Sequence, residues 1–280
     1  MRFLCLLIYV LCPHVWADII TDGTVGTATT LVGPNFVIDS TLGTQSGGNL
    51  FHSFSEFSID SGEVAHFTGP ASINHIIGRV TGSSASSIQG TLRSSISDAH
   101  VYLINPNGVI FGQDAKLDIQ GSFSATTASN LGFSDGNTFS ATPASSDILT
   151  TAPLSSFGFL DSSLGNIQST AKSLIVPIGY NINLIGGDID ISIDRLGRDG
   201  IQANNGNINM ISAAGQAIVE LIAGNPTLNN QPSGTINLQG NSRLSTNTHN
   251  TANAGNITIQ AQAIISVSYT HLTLPTTPYV

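Results

Sequence analysis

The sequence predicts an all-β protein, a right-handed parallel β-helix with an amino-terminal cap, and two observations carry that prediction. Apolar residues recur at alternate positions, at Leu117 and Ile119, Ile182 and Leu184, Ile189, Ile191 and Ile193, Ile208 and Met210, Ile236 and Leu238, and Ile257 and Ile259. That spacing turns one face of each strand inward and leaves Asn, Asp, Ser or Thr on the other. Four of these runs open on one phrase: GDIDI at Gly187, GNINM at Gly206, GTINL at Gly234 and GNITI at Gly255, in steps of 19, 28 and 21 residues, with GNIQS at Gly165 lying 22 before the first. Units of this length bury their apolar face only by stacking on one another. Glycine and asparagine suit the sharp corners between short strands.

Composition agrees with a packed, exported fold. Only 9% of the 280 residues are charged while 40% are hydrophobic, which excludes disorder. The formal charge of −9 repels phosphates, so nucleic acid and anionic membrane surfaces are not expected partners, and no stable membrane insertion is expected. Residues 1–17, MRFLCLLIYVLCPHVWA, carry one positive charge at Arg2 followed by an apolar run, too short to span a bilayer. They read as a secretory signal cleaved after Ala17. Both cysteines, Cys5 and Cys12, leave with it, so no disulfide framework is expected in the mature chain.

Along the mature chain, the region from Ile19 to Ile59 holds Phe36, Phe51, Phe54 and Phe57 and lacks the later Gly-Asn phrase. It is expected to cap the open end of the column and supply its first rungs. The aromatic residues there and Phe67 are expected to be core rather than exposed anchors. Five motifs follow in order around a sixth: GNLFHSFSEFSID (Gly48 to Asp60), FTGPASI (Phe67 to Ile73), IIGRVTG (Ile76 to Gly82), SSIQGTLR (Ser86 to Arg93), VYLINPNGVIFG (Val101 to Gly112) and KLDIQGSFSATTA (Lys116 to Ala128). Within the fifth, Asn105, Pro106, Asn107 and Gly108 spell a type I turn between two strands. The stretch from Asn130 to Phe159 reads as an irregular excursion, and the 28-residue step, with Gly224, Asn225, Pro226, Asn229, Asn230 and Pro232, reads as a loop inserted at a corner. Residues 266–280 break the pattern and are set aside as a non-native or frayed tail.

In this order the motifs resemble the amino-terminal secretion domain of two-partner-secreted exoproteins of the filamentous haemagglutinin and haemolysin-like type, over Ile19 to Phe133. Some members carry an earlier NPNL motif where this chain has Gly82, Ser83, Ser84 and Ala85. The resemblance implies a secretion domain over 18–133 and further β-helix rungs over 134–265. It implies recognition by an outer-membrane transporter with polypeptide-transport-associated domains, folding on export, and delivery through the periplasm to the cell surface or medium of a Gram-negative-type cell. Asn105, Pro106, Asn107 and Gly108 are the expected recognition or structural motif, and Asn49, Phe51, His52, Phe54 and Phe57 the cap motif. Any host or cell-surface ligand would be bound through regions beyond this chain.

A catalytic reading has one candidate. Asp188, Asp190 and Asp194 alternate with isoleucine beside Arg195 and Arg198, as a polysaccharide-active β-helix would need for acid–base or calcium chemistry. A solvated polar strand face accounts for the same spacing more simply. The seven histidines stand singly, none at metal-ligand spacing, and no nucleophile elbow or phosphate loop occurs. No enzyme activity, cofactor or metal is expected.

Overall fold

A computed structural model describes residues 18–143, 147–160, 164–193, 200–213, 215–229, 234–240, 242–248, 253–267 and 271–272. The chain winds through three parallel faces per turn. The long first face stacks Asn49–Phe57, His75–Val80, His100–Ile104, Phe123–Thr126, Ile182–Gly186, Ile208–Ser212 and Ile257–Gln260. Its register runs Leu50, Ile76, Val101, Phe123, Ile182, Ile208, Ile257. A second face stacks Ser86–Ile88, Val109–Phe111, Ile167–Ser169, Ile189–Ile193, Thr235–Gly240 and Ala263–Val267. The third consists of Asn35–Asp39, Val64–Thr68, Thr91–Ser94 and Lys116–Asp118, followed by a separate sheet of Leu174–Ile175, Ile201–Gln202, Arg243–Ser245 and His271–Leu272. Strand pairing thus continues through Val267 and His271–Leu272, inside the segment set aside from the sequence as a tail.

The Gly-Asn phrases do not mark a single repeat. Those at Gly165, Gly187 and Gly234 stack on the second face, Ile167 on Ile189 on Ile236. Those at Gly206 and Gly255 stack on the first, Ile182 on Ile208 on Ile257. One rung therefore holds two such phrases, and its true length is the 25 residues from Ile76 to Val101 or the 26 from Ile182 to Ile208. The phrase encodes a corner, and a corner precedes either face. A Cβ on Gly206 would collide with the Tyr180 carbonyl, and one on Gly255 with the Gly206 carbonyl, because successive corners pack backbone on backbone.

Both stretches read as irregular contribute strands among their described residues. Asn130–Phe133, Thr138–Ser140 and Leu154–Phe159 join Ala217–Ile222 and Asn225–Leu228 in a five-stranded antiparallel sheet, with Phe157 opposite Val219. Neither insertion builds this sheet alone, so its pattern is not visible in either segment. The sheet lies on the outer side of the first face. Leu131, Phe133, Phe139, Phe157, Phe159 and Val219 pack there against Phe51, Ile77, Ile104, Ile185 and Ile211. The first face is consequently buried on both sides, with Leu50, Phe54, Ile76, Val101, Phe123, Ile182 and Ile208 filling the column interior. The ladder of Ser124, Asn183 and Asn209, on the outward side of these strands, is buried beneath this layer. Asn183 Nδ2 donates to Ser124 Oγ at 2.9 Å and Asn209 Nδ2 to Asn183 Oδ1 at 2.8 Å, so each amide is satisfied by the rung below.

At the amino-terminal end, Ile19–Thr21 and Thr44–Ser46 pair antiparallel with Asn49–Phe57, and Thr29–Thr30 pairs with Ile19–Thr21. These short strands occupy the edge that the first strand of the column would otherwise present to another chain. Phe54, Phe57 and Phe67 close the interior beneath them, buried as the sequence predicts.

Candidate functional site: the cap and the stacked corner turn

The turn closes as its residue types dictate, the Gly108 N–H donating to the Asn105 carbonyl at 3.0 Å, with Gly108 at φ +121°. Asn105 is wholly buried. Its Nδ2 donates to the Ser84 carbonyl and to Ser86 Oγ, each at 3.0 Å, and its Oδ1 accepts from the Asn107 N–H at 2.9 Å. Asn107 Nδ2 donates to the Gly82 carbonyl at 2.7 Å. From the following rung, the Gly165 N–H donates to the Pro106 carbonyl at 2.9 Å. Gly82 and Ser84, within the stretch where some members carry NPNL, thus supply backbone carbonyls, and Ser86 a hydroxyl, on which this turn sits.

The strand carrying the NLFHSF motif divides its side chains by alternation. Asn49, Phe51 and Ser53 face the outer sheet, while Leu50, His52 and Phe54 face the column interior. Asn49 Nδ2 donates to the Thr150 and Ala152 carbonyls at 2.9 and 2.8 Å, and Phe51 meets Phe139 edge-on at 5.0 Å. His52 lies between Phe54 and Phe67, with neither ring nitrogen in a hydrogen bond of normal geometry.

One residue that sequence reasoning passed over ties these parts together. Arg79, 1% exposed, donates from Nε to Ser53 Oγ at 2.8 Å, from Nη2 to Thr24 Oγ1 at 3.0 Å, and from Nη1 to the Ser140 carbonyl at 2.6 Å and to Asp147. Its guanidinium also lies 4.2 Å from the Phe139 ring centre. Asp22 completes the cluster, accepting from Thr24, Ser53 and Thr81. Burial pulls the Asp22 carboxyl upward, but these hydrogen bonds outweigh it and hold the group below its usual range. Cap, first face and outer sheet meet at this arginine. The available signal was a single cation inside the apolar run IIGRVTG of a chain with eight basic residues.

The acidic candidate does not assemble a catalytic pair among the described residues. Asp188 Oδ1 accepts from the Thr235 N–H at 2.7 Å, and Asp190 Oδ1 from Asn237 Nδ2 at 2.5 Å, so both serve as rungs of stacking ladders. Asp194, Arg195 and Arg198 lie outside the described residues, as do 1–17 with Ala17. No cluster of three metal-ligating side chains occurs among the described residues.

Burial dominates the histidine chemistry. It holds His52 down to about 4 against weaker opposing effects of the Leu42 carbonyl and Asp39, and holds His75 down to about 4 together with neighbouring His100. Both folded values lie below the unfolded value of about 6.5, so under that pH the unfolded chain takes up protons that the folded chain refuses. Stability is therefore fully present above pH 6.5 and falls as pH drops toward 4, by on the order of 3 kcal/mol per group. Thermal melts across this window should show the loss. The substitution His52→Leu, which leaves no unpaired nitrogen in the core, should remove about half of it.

The geometry is thus a capped column with an antiparallel outer layer, in which the quoted motifs form corners and seams. The sequence profile of the TPS secretion domain family matches residues 17–278. The chain belongs to that family, whose members are exported by Gram-negative outer-membrane transporters. Its fold is similar to the crystal structure of the HMW1 secretion domain from Haemophilus influenzae, with a TM-score of 0.57 and 23% identity over 86% of this chain and 63% of that one. It is also 38% identical over 87 residues to the heme/hemopexin-binding protein of Haemophilus influenzae, covering 30% of this chain and 9% of that protein. The chain thus spans a small fraction of the curated relative's length.

Proposed function

We propose that this domain directs a larger exoprotein to its transporter while unfolded, with the Asn105–Gly108 turn as part of the address, and folds as a capped column only after passage. The observation that carries this reading is the complete use of Asn105 in the native corner. A wholly buried amide with both donors and its acceptor engaged offers nothing to a partner, so it can be read only before the corner closes. Polypeptide-transport-associated domains suit this order of events, because they accept an extended segment along a sheet edge by main-chain hydrogen bonds. A mature chain expected to lack cysteine cannot be locked by disulfides before passage, and its low charge lowers the cost of entering a narrow pore. Delivery through the periplasm to the surface or medium follows from this route. The effector of the whole exoprotein, adhesin or cytolysin, would reside beyond this domain. The ligand in the curated relative's name is not carried over, since the match takes in 9% of that protein.

The test replaces Asn105–Gly108 by an unrelated flexible four-residue turn and measures surface delivery alongside the cognate transporter. Delivery should fall by more than about tenfold, whereas Asn107→Ala, which loses the bond to the Gly82 carbonyl, should cost only about 1 kcal/mol of folded stability. Normal delivery of the turn-replaced chain would show that the motif is no address.

A further inference from the structure

A groove of about 370 Å³ opens where the amino-terminal edge of the first face meets the outer sheet. Its floor is an aromatic ladder built by the register of successive rungs. His75 and His100 stand opposite one another with ring centres 5.7 Å apart, Tyr102 lies 5.9 Å from His75, and Tyr180 meets His100 nearly edge-on at 5.9 Å. Leu154 and Leu221 of the outer sheet form the facing wall. From this arrangement we infer that the groove is a binding site for a short, neutral saccharide.

The hydrogen-bonding state of each ring follows from its partners. Asn49 uses its Nδ2 on two carbonyls, so its Oδ1 faces His75 Nδ1 at 2.8 Å and that nitrogen carries the proton, leaving Nε2 as a bare acceptor. In His100 the order is reversed. Nδ1 accepts from the Ser122 N–H at 3.0 Å, so the proton sits on Nε2 as a free donor. The Tyr102 hydroxyl makes no hydrogen bond among the described residues, and burial raises it to about 12, so it keeps its proton. Tyr180 is already committed, its hydroxyl donating to Asp98 Oδ1 at 2.6 Å, which fixes the ring as a shelf.

Three unpaired groups of mixed donor and acceptor character thus share a groove with aromatic and aliphatic walls. No Lys, Arg, Asp or Glu lines it, and burial keeps both imidazoles neutral, so an anion or a cation finds no countercharge. A purely apolar occupant would strand the three polar groups. Sugar hydroxyls donate and accept at once, while the C–H face of a pyranose packs on an aromatic ring. The volume, near the lower end of the roughly 300–1,000 Å³ range of small-molecule sites, restricts the occupant to a short saccharide.

The test titrates the purified secretion domain by NMR with glucose, galactose, N-acetylglucosamine and N-acetylgalactosamine, with glucuronate and zinc chloride as comparators. At least one neutral sugar should bind at roughly millimolar concentration or tighter. Tyr180→Ala should weaken it by about tenfold, Tyr102→Phe a few-fold with an unchanged melting temperature, and Leu221→Trp, which fills the groove, should abolish it. Binding by none of the four sugars, equal binding by Leu221→Trp, or response to glucuronate or zinc alone would overturn the assignment. Sugar binding is measured apart from secretion, so neither result decides the other.

Discussion

Replacing Arg79 by alanine should cost about 3–5 kcal/mol of folding free energy, a large share of the 5–15 kcal/mol available to a typical domain. The loss has several parts that fall together. Asp147 keeps a largely buried carboxylate with its cation gone, the Ser140 carbonyl loses a charged donor, and Ser53 and Thr24 lose the group that joins the cap to the first face. The shorter point charge of Arg79→Lys cannot reach four acceptors while lying against Phe139, so it should recover less than half of the stability. Urea unfolding gives the magnitude, and amide exchange locates it: protection should fall first in Thr138–Ser140 and around Thr24, which the guanidinium ties to Ser53 of the first face. A loss below about 1 kcal/mol would place Arg79 among ordinary surface cations.

Deleting the lid hairpin, residues 18–31, should be more damaging to export than any point substitution, leaving precursor in the periplasm. The deletion removes Ile19 from the column interior and strips the antiparallel partner from Glu56, Phe57 and Phe54. An unpaired edge next to a cluster of phenylalanines then meets water at the end from which the column must grow. Each rung added to a closed end buries apolar surface worth about 25 cal/mol per Å², and that gain opposes backsliding through the pore. Without the lid the first rung is unstable, so stacking has no platform. Pulse-labelling with separation of periplasmic and surface fractions measures the effect. Efficient surface delivery of the shortened chain would show that folding from the cap contributes nothing to export.

These two expectations draw on different kinds of information. A cap over Ile19 to Ile59 was expected before any coordinates, because an aromatic-rich segment without the corner phrase had to close an open solenoid. Arg79 was not. Its partners Thr24, Ser53, and the pair Ser140 and Asp147 come from three separate stretches of chain, and no local spacing announces their meeting. The turn at Asn105 stands between these cases. Its type was readable from four consecutive residues, but its burial depends on Ser84 and Ser86, about twenty positions upstream.

By itself the sequence determined the apolar alternation of the column strands, the turn chemistry of the corners, and the order of motifs that resembles the family. Period-two alternation, glycine clearance and turn chemistry are properties of near neighbours, and near neighbours are adjacent in the chain. Only the tertiary structure decided which strand rests on which, that two insertions join into one outer sheet, and that Asn49 reaches Ala152 across 103 residues. Those pairings are fixed by burial shared between distant segments. A segment's own pattern shows that it has an apolar face, but not which other face will cover it.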